Sequence, residues 1–192
     1  MRYNSRPAKT KRNIKRALLI LLNEKDISEI TISELAKTAE ISRKTFYLHY
    51  TDFSEILDEI KNDLVALFNE SVMKDKRINF RIRILNFINN IVSRINQDEE
   101  YYSLIANSRY AKIIFSPLEE LLKSELLLAL EIETNLDSTK KECLVDFLIG
   151  GIVNCILNWS KNPYGVTTEM ESALLFEILY NNVAVYITND KL

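Results

Sequence analysis

A chain of 192 residues is long enough for one substantial core, or for a small head joined to a larger body. Three glycines and three prolines leave few turns for a sandwich or barrel, so helices are the expected class. The net charge of −2 conceals an asymmetry: the first fifty residues carry eleven Lys and Arg against five Asp and Glu, and the remainder carries fourteen against twenty-two. A basic head on an acidic body points to a polyanionic partner for the head, although a solvated basic tail would give the same balance.

Cys143 and Cys155 fall in one helical pattern, where their spacing amounts to roughly 18 Å along the axis. A disulfide needs Cα atoms within about 7 Å, so these two cannot pair within that helix. With no cysteine framework and no signal-peptide pattern, a reducing cytoplasm is the expected compartment. The longest apolar runs, 17–22 and 147–152, fall short of the ~20 residues needed to cross a bilayer, so no membrane partner is expected.

In chain order, seven basic residues and no acid precede Ala17, while apolar periodicity begins at Ile14 and continues through Ala17, Leu18, Leu21 and Leu22. Residues 1–8 therefore read as a mobile basic arm, followed by a first helix over about 9–23. After a breaker stretch, Thr31-Ile32-Ser33-Glu34 has the pattern of a capping box and starts a short helix over about 32–39. Glu40 and Ile41 form a turn, and Ser42 can N-cap a third helix through Phe46, Leu48 and His49. Two short helices across such a turn make a helix-turn-helix. Asp52-Phe53-Ser54-Glu55 is a second capping pattern, opening a helix whose stripe is Phe53, Ile56, Leu57, Ile60, Leu64, Leu67 and Phe68.

Beyond Lys76 the pattern predicts helices at about 78–96, 99–108, 110–133, 138–161 and 168–188. Pro117 marks a place for a kink, and Asn162-Pro163-Tyr164-Gly165 a turn. The expected fold is all-α: a flexible arm at 1–8, a helix-turn-helix head at 9–51, and a helical ligand-binding and dimerisation body at 52–192.

The stretch TISELAKTAEISRKTFYLHYTDFSEIL resembles the helix-turn-helix signature of the tetracycline-repressor (TetR) family of bacterial regulators. The matching positions are Thr31-Ile32, Leu35-Ala36, Ala39, Ile41-Ser42, Thr45-Phe46-Tyr47, His49-Tyr50 and Glu55-Ile56-Leu57. Two positions depart from it: Glu40 stands where the family commonly has glycine, and Phe53 where it often has a phosphate-contacting lysine. Glu40 must therefore accept a turn geometry in which glycine costs less. The segment FLIGGIVNCILNW followed by Asn162-Pro163 looks like the carboxy-terminal region of a TetR subgroup. The resemblance implies a homodimer that binds a palindromic double-stranded DNA operator and holds or releases it according to a ligand.

The head has residues suited to that task. Arg43 and Lys44 begin the third helix, and both can donate to guanine O6 and N7 in the major groove. The helix dipole alone would prefer acids there, so local stability does not explain them. Thr45, Tyr47 and Tyr50 carry hydroxyls able to donate to phosphates. The resemblance assigns such contacts to Thr45 and Tyr47, whereas Tyr50 has a second reading as partly core. Phe46 and Leu48 are expected to pack inward against Leu18, Leu35, Ala36 and Ala39. Thr31 and Ser42 combine caps with helix amino ends, where phosphate is attracted. Lys9, Lys11, Arg12, Lys15 and Arg16 add attraction independent of sequence. His49, the single histidine, lacks a metal-ligand cluster or a nucleophile beside it, so neither metal nor catalysis is expected and the choices are a phosphate contact or packing.

In the body, Phe80, Phe87, Tyr101, Tyr102, Phe115 and Trp159 could line an effector pocket, though residues at helical spacing are more often plain core. The last two helices are the expected dimer interface, with Gly150 and Gly151 allowing a close approach. No cofactor is expected. The leading function is a ligand-responsive dimeric repressor. A regulator of the same type acting through a protein partner is the alternative, and no phosphate loop or metal-spaced cluster supports an enzyme.

Overall fold

The computed structural model describes residues 6–69, 80–161 and 168–186, and it is all-α, with no strand among the described residues. The elements are α1 (Arg6–Glu24), a single 3₁₀ turn (Ile27–Glu29), α2 (Ile32–Thr38), α3 (Arg43–Tyr47), α4 (Phe53–Asn69), α5 (Phe80–Gln97), α6 (Glu99–Asn107), α7 (Ala111–Glu133), α8 (Ser138–Lys161) and α9 (Thr168–Ala184). Helix α1 begins inside the stretch expected to be a flexible arm: Arg6, Pro7 and Ala8 are helical. Proline is tolerated in a first turn because its missing N–H would have no partner there. Residues 1–5 and the expected turn at 162–165 lie outside the described residues. Helix α7 runs on through Pro117.

The chain divides into two compact units. One takes the chain up to Asp63 together with Glu100–Phe115; the other takes Leu64–Glu99 and the chain from Ser116 onward. In the first unit α1 packs on α2 and α2 on α3. Ile14, Leu18 and Leu22 of α1 are fully buried, as are Leu35 of α2, Phe46 of α3, and Ile56 and Ile60 of α4.

Local hydrogen bonds place the short helices. Thr31 caps α2 by accepting from the Glu34 amide at 3.2 Å, and the Glu34 carboxylate in turn takes Lys25 Nζ at 2.5 Å. At the other end Glu40 sits at φ 55°, the left-handed conformation that glycine would favour. With it the Ile41 amide reaches back to the Ala36 carbonyl and the Glu40 amide to the Lys37 carbonyl. This is a Schellman closure, and it satisfies two carbonyls that would otherwise end the helix unpaired. The 3₁₀ turn has a full capping box between Asp26 and Glu29, so the stretch that looks like a breaker in sequence is a capped turn of the pattern D-x-x-E. At α4 the Asp52 carboxylate accepts from the Ser54 and Glu55 amides, while the Glu55 carboxylate reaches Thr51 rather than Asp52.

The segment from α6 into α7 is tied to α1 and its exit by polar contacts. Arg16 Nη1 meets Glu100 Oε2 at 2.6 Å with its guanidinium over the Tyr101 ring, Asn23 Nδ2 donates to the Leu104 carbonyl at 2.9 Å, and Tyr110 Oη donates to Asp26 at 3.1 Å.

In the second unit α5 packs on α9, where the Arg81 guanidinium lies over the stacked rings of Phe176 and Tyr180. Lys123 pairs with Asp146, and the buried Lys141 with Glu131. Helix α8 leaves much apolar surface uncovered: Phe147 is 71% exposed, and a Cβ added at Gly150 or Gly151 would meet nothing within 4 Å. By length and composition its span Ser138–Trp159 is apolar enough to cross a membrane, at a mean hydropathy of 1.4. Uninterrupted run length hid this, because Asp146, Asn154 and Asn158 break the apolar run without making the helix polar overall. Helix α9 likewise exposes Met170, Leu174 and Ile178.

Two substitutions test the head. Phe46→Ala should lower stability by about 3–5 kcal/mol, since the ring is fully buried. Glu40→Gly should raise it by up to about 1 kcal/mol by relieving the left-handed strain. Urea unfolding followed by circular dichroism reads both, and a Phe46→Ala loss under about 1 kcal/mol would show that the ring does not anchor α3.

Candidate nucleic-acid interface

Helix α3 is five residues long and is held at both ends by short-range bonds. Ser42 Oγ accepts from the Thr45 amide at 3.0 Å and lies 2.9 Å from Thr45 Oγ1. At the far end the Leu48 amide donates to the Lys44 carbonyl, and the His49 and Tyr50 amides to that of Phe46. The Phe46 ring points into the core and meets Tyr47 edge-on, with centroids 5.3 Å apart. This leaves Ser42, Arg43, Lys44, Tyr47 and Leu48 exposed, with Thr45 and His49 half-buried. Thr31 is exposed at the amino end of α2. Seven of the eight head residues expected to meet DNA are therefore at least partly accessible.

The eighth is Tyr50, which is only 3% exposed; of its two readings the structure takes the core one. Its hydroxyl donates to Glu59 Oε2 at 3.1 Å. Burial, and then the negative charge of Glu59, push that hydroxyl far above its ordinary value, so it remains a neutral donor. The opposite correction applies to Leu48, expected to pack inward with Phe46 but in fact 74% exposed. Only one of two residues two apart can point inward from a helix that rests on the core by a single side.

Glu59 gathers more than Tyr50. Its carboxylate takes Lys11 Nζ at 2.6 Å and Lys15 Nζ at 3.3 Å, and Lys15 also reaches Asp63. Burial pushes Glu59 upward, but the Lys11 hydrogen bond, the Lys15 charge and the Tyr50 hydroxyl outweigh it and hold the carboxyl below its ordinary value. Lys11, Lys15 and Arg16, expected as general attractants for phosphate, are thus paired with acids of their own unit.

The aromatic residues expected around an effector divide between the two units. Tyr101 and Tyr102 on α6 and Phe115 on α7 fall in the first, while Phe87 on α5 and Trp159 on α8 fall in the second. Phe87, Phe115 and Trp159 are buried. Phe80 heads α5, and its side chain lies outside the described residues. A cavity of about 310 Å³ in the first unit, open to solvent, is lined by Ile20, Asn23, Glu24, Glu100, Ser103 and Asn107 among others, and by none of these aromatics.

No protein-family model matches the chain. It is 25% identical over 179 residues to the uncharacterized HTH-type transcriptional regulator YxbF of Bacillus subtilis (strain 168); the match covers 90% of this chain and 45% of that protein, so the chain spans under half of its relative's length. The fold is that of TetR-family regulators. Native NalD, the secondary repressor of the MexAB-OprM multidrug efflux pump in Pseudomonas aeruginosa, superposes with a TM-score of 0.69 at 13% identity, covering 95% of this chain and 98% of that one. A TetR transcriptional regulator from Streptococcus agalactiae 2603V gives 0.59 at 21% identity, covering 90% and 94%.

The Glu59 network sets an acid dependence. A carboxyl held below its ordinary 4.5 contributes stability that is fully present above that value and is lost as pH falls through its lower folded value. Glu59→Gln should remove that dependence and flatten the acid limb of the stability curve below about pH 4.5, with a loss near neutrality under about 1 kcal/mol because the group is partly solvated. Urea midpoints taken from pH 7 downward check this; parallel acid limbs in the two proteins would refute it.

Proposed function

We propose that this chain, whose fold is that of the TetR-family transcription regulators, is a homodimeric repressor. In this reading it grips a palindromic operator with one α2–α3 pair per half-site and releases it according to a small ligand held by the second unit. The observation that carries the reading is the outer face of α3. Arg43, Lys44 and Tyr47 stand exposed together on a helix whose other side is anchored by the buried Phe46. A recognition helix needs base-reading donors near its amino end and phosphate-gripping groups around them. Arg43 and Lys44 supply the first; Thr31, Ser42, Thr45, Tyr47 and His49 supply the second.

Dimerisation is supported by α8 and α9. Cys143, Phe147, Gly150 and Asn154 recur at helical spacing along one exposed face of α8, and Met170, Leu174 and Ile178 do so on α9. Exposed faces carrying large apolar side chains such as Phe147, Met170, Leu174 and Ile178 mark interaction surfaces, and a second copy offers the matching face. Ligand control is supported by Trp159, whose indole Nε1 is buried without a hydrogen-bond partner among the described residues. A buried donor left unpaired is costly and is a group that a ligand can satisfy. That NalD is a repressor supports the repressor reading. The free thiols of Cys143 and Cys155, both exposed, suit a reducing cytoplasm.

Light scattering at micromolar concentration should give a dimer, and Phe147→Glu should shift it toward monomer. Selection from a pool of random duplexes should yield an inverted repeat. Against that repeat, Arg43→Ala and Lys44→Ala should each lose about 1–3 kcal/mol of preference over scrambled DNA. Tyr47→Phe should weaken selected and scrambled duplexes alike. A monomer that enriches no sequence would overturn the reading.

A further inference from the structure

We infer that Leu48 reads a thymine methyl group in the major groove, beside the base edge contacted by Lys44. The inference rests on the DNA-binding reading above and adds a residue that determines specificity.

Leu48 caps α3 in helical geometry, with φ −76° and ψ −15°, and its amide donates to the Lys44 carbonyl at 3.2 Å. Residues four apart in that geometry share a side, so Leu48 stands with Lys44 and away from Phe46. Its side chain is 74% exposed while Phe46 is fully buried, so the core of the head closes without it. An isolated exposed leucine is ordinary on a protein surface, but this one lies on the face that the reading turns toward the bases.

Leu48 stands apart in the chemistry of that face. Its other exposed side chains, Ser42, Arg43, Lys44 and Tyr47, are all hydrogen-bond donors. Donor groups read the N7, O6 and O4 acceptors of the groove, whereas its apolar feature, the C5 methyl of thymine, is read by apolar contact. Among these exposed side chains Leu48 has no hydrogen-bonding group, so apolar contact is all it can offer a base. Four residues of α-helix span about 6 Å, and base pairs are stacked about 3.4 Å apart, so the thymine should lie one or two steps from the base read by Lys44.

Replacing thymine with deoxyuridine deletes this methyl and nothing else, which makes the test direct. The full chain is used to select a duplex from a random pool, and each thymine of that duplex is then changed to deoxyuridine in turn. Binding of the wild type, Leu48→Ala and Leu48→Met is followed by fluorescence anisotropy. One thymine per half-site should matter, its deoxyuridine weakening the wild type by about fourfold, as expected for one methyl-sized group left unburied. Leu48→Ala should bind the thymine and deoxyuridine duplexes equally, and Leu48→Met, which restores apolar reach, should bring the difference back. If the wild type ignores deoxyuridine at every position, or Leu48→Ala responds as the wild type does, the role of Leu48 is overturned while the regulator reading stands. If the wild type enriches no duplex at all, both fall together.

Discussion

A helix of five residues cannot hold itself together in water. Nucleating a first turn fixes several residues for a single hydrogen bond, and isolated helices much shorter than about 12 residues are marginal. Helix α3 is far below that length, so its order is imposed from outside: by the Phe46 ring in the core, by Ser42 at the amino end, and by the left-handed Glu40 that aims the chain out of α2. Every side chain offered to a partner on this helix depends on that anchoring. Glu40 is the strained member, yet its geometry lets the Ile41 and Glu40 amides close α2 and set the angle at which α3 departs.

The second constraint is electrostatic, and it corrects a simple reading of charge. The basic excess of the head is genuine as a count, but several of its cations are spent internally. Lys11 and Lys15 are held by Glu59 and Asp63, Arg16 by Glu100, and Lys25 by Glu34. Three of those acids lie beyond residue 50, on the part of the chain whose total is acidic. Acids counted to the body thus neutralise cations counted to the head, and the field available to a polyanion is weaker than plus-and-minus bookkeeping by segment suggests. The Lys11, Lys15 and Arg16 pairs also fasten α1 to α4 and α6, so they serve position as much as charge. The first unit includes Glu100–Phe115, a segment with no sequence signal linking it to the head.

What was legible in the sequence follows from how local each cause is. Caps and apolar stripes act within one or two turns, and they located α2, α3, α4 and the late helices to within a few residues. The glycine-like demand on Glu40 was legible too, because turn geometry is local. The fates of Tyr50 and Leu48 were not. Tyr50 is drawn inward by Glu59 on another helix, and Leu48 is left outside because Phe46 already fills the space under α3. Both outcomes depend on packing partners distant in sequence, which no periodicity over a five-residue helix can report. The apolar character of α8 escapes run length for a different reason: scattered polar residues shorten its runs while its mean hydropathy stays high.

An apolar helix left largely uncovered has to be buried by something, and a bilayer and a partner helix make different demands on it. Asp146, Asn154 and Asn158 lie within the apolar span, and Asp146 is engaged by Lys123 of α7. Charged and amide groups within such a span are expensive in hydrocarbon and tolerable at a protein interface. Gly150 and Gly151 sharpen the contrast, since each costs about 1 kcal/mol relative to alanine in a helix and neither is explained by crowding within the subunit, where an added Cβ would meet open space. Closely approaching backbone from a second copy would account for the glycines, the exposed Phe147 and the polar interruptions together. A bilayer would account only for the hydropathy. The face that makes α8 resemble a membrane span is thus better matched to helix pairing, and on the repressor reading that pairing would bring two copies of α3 to one operator.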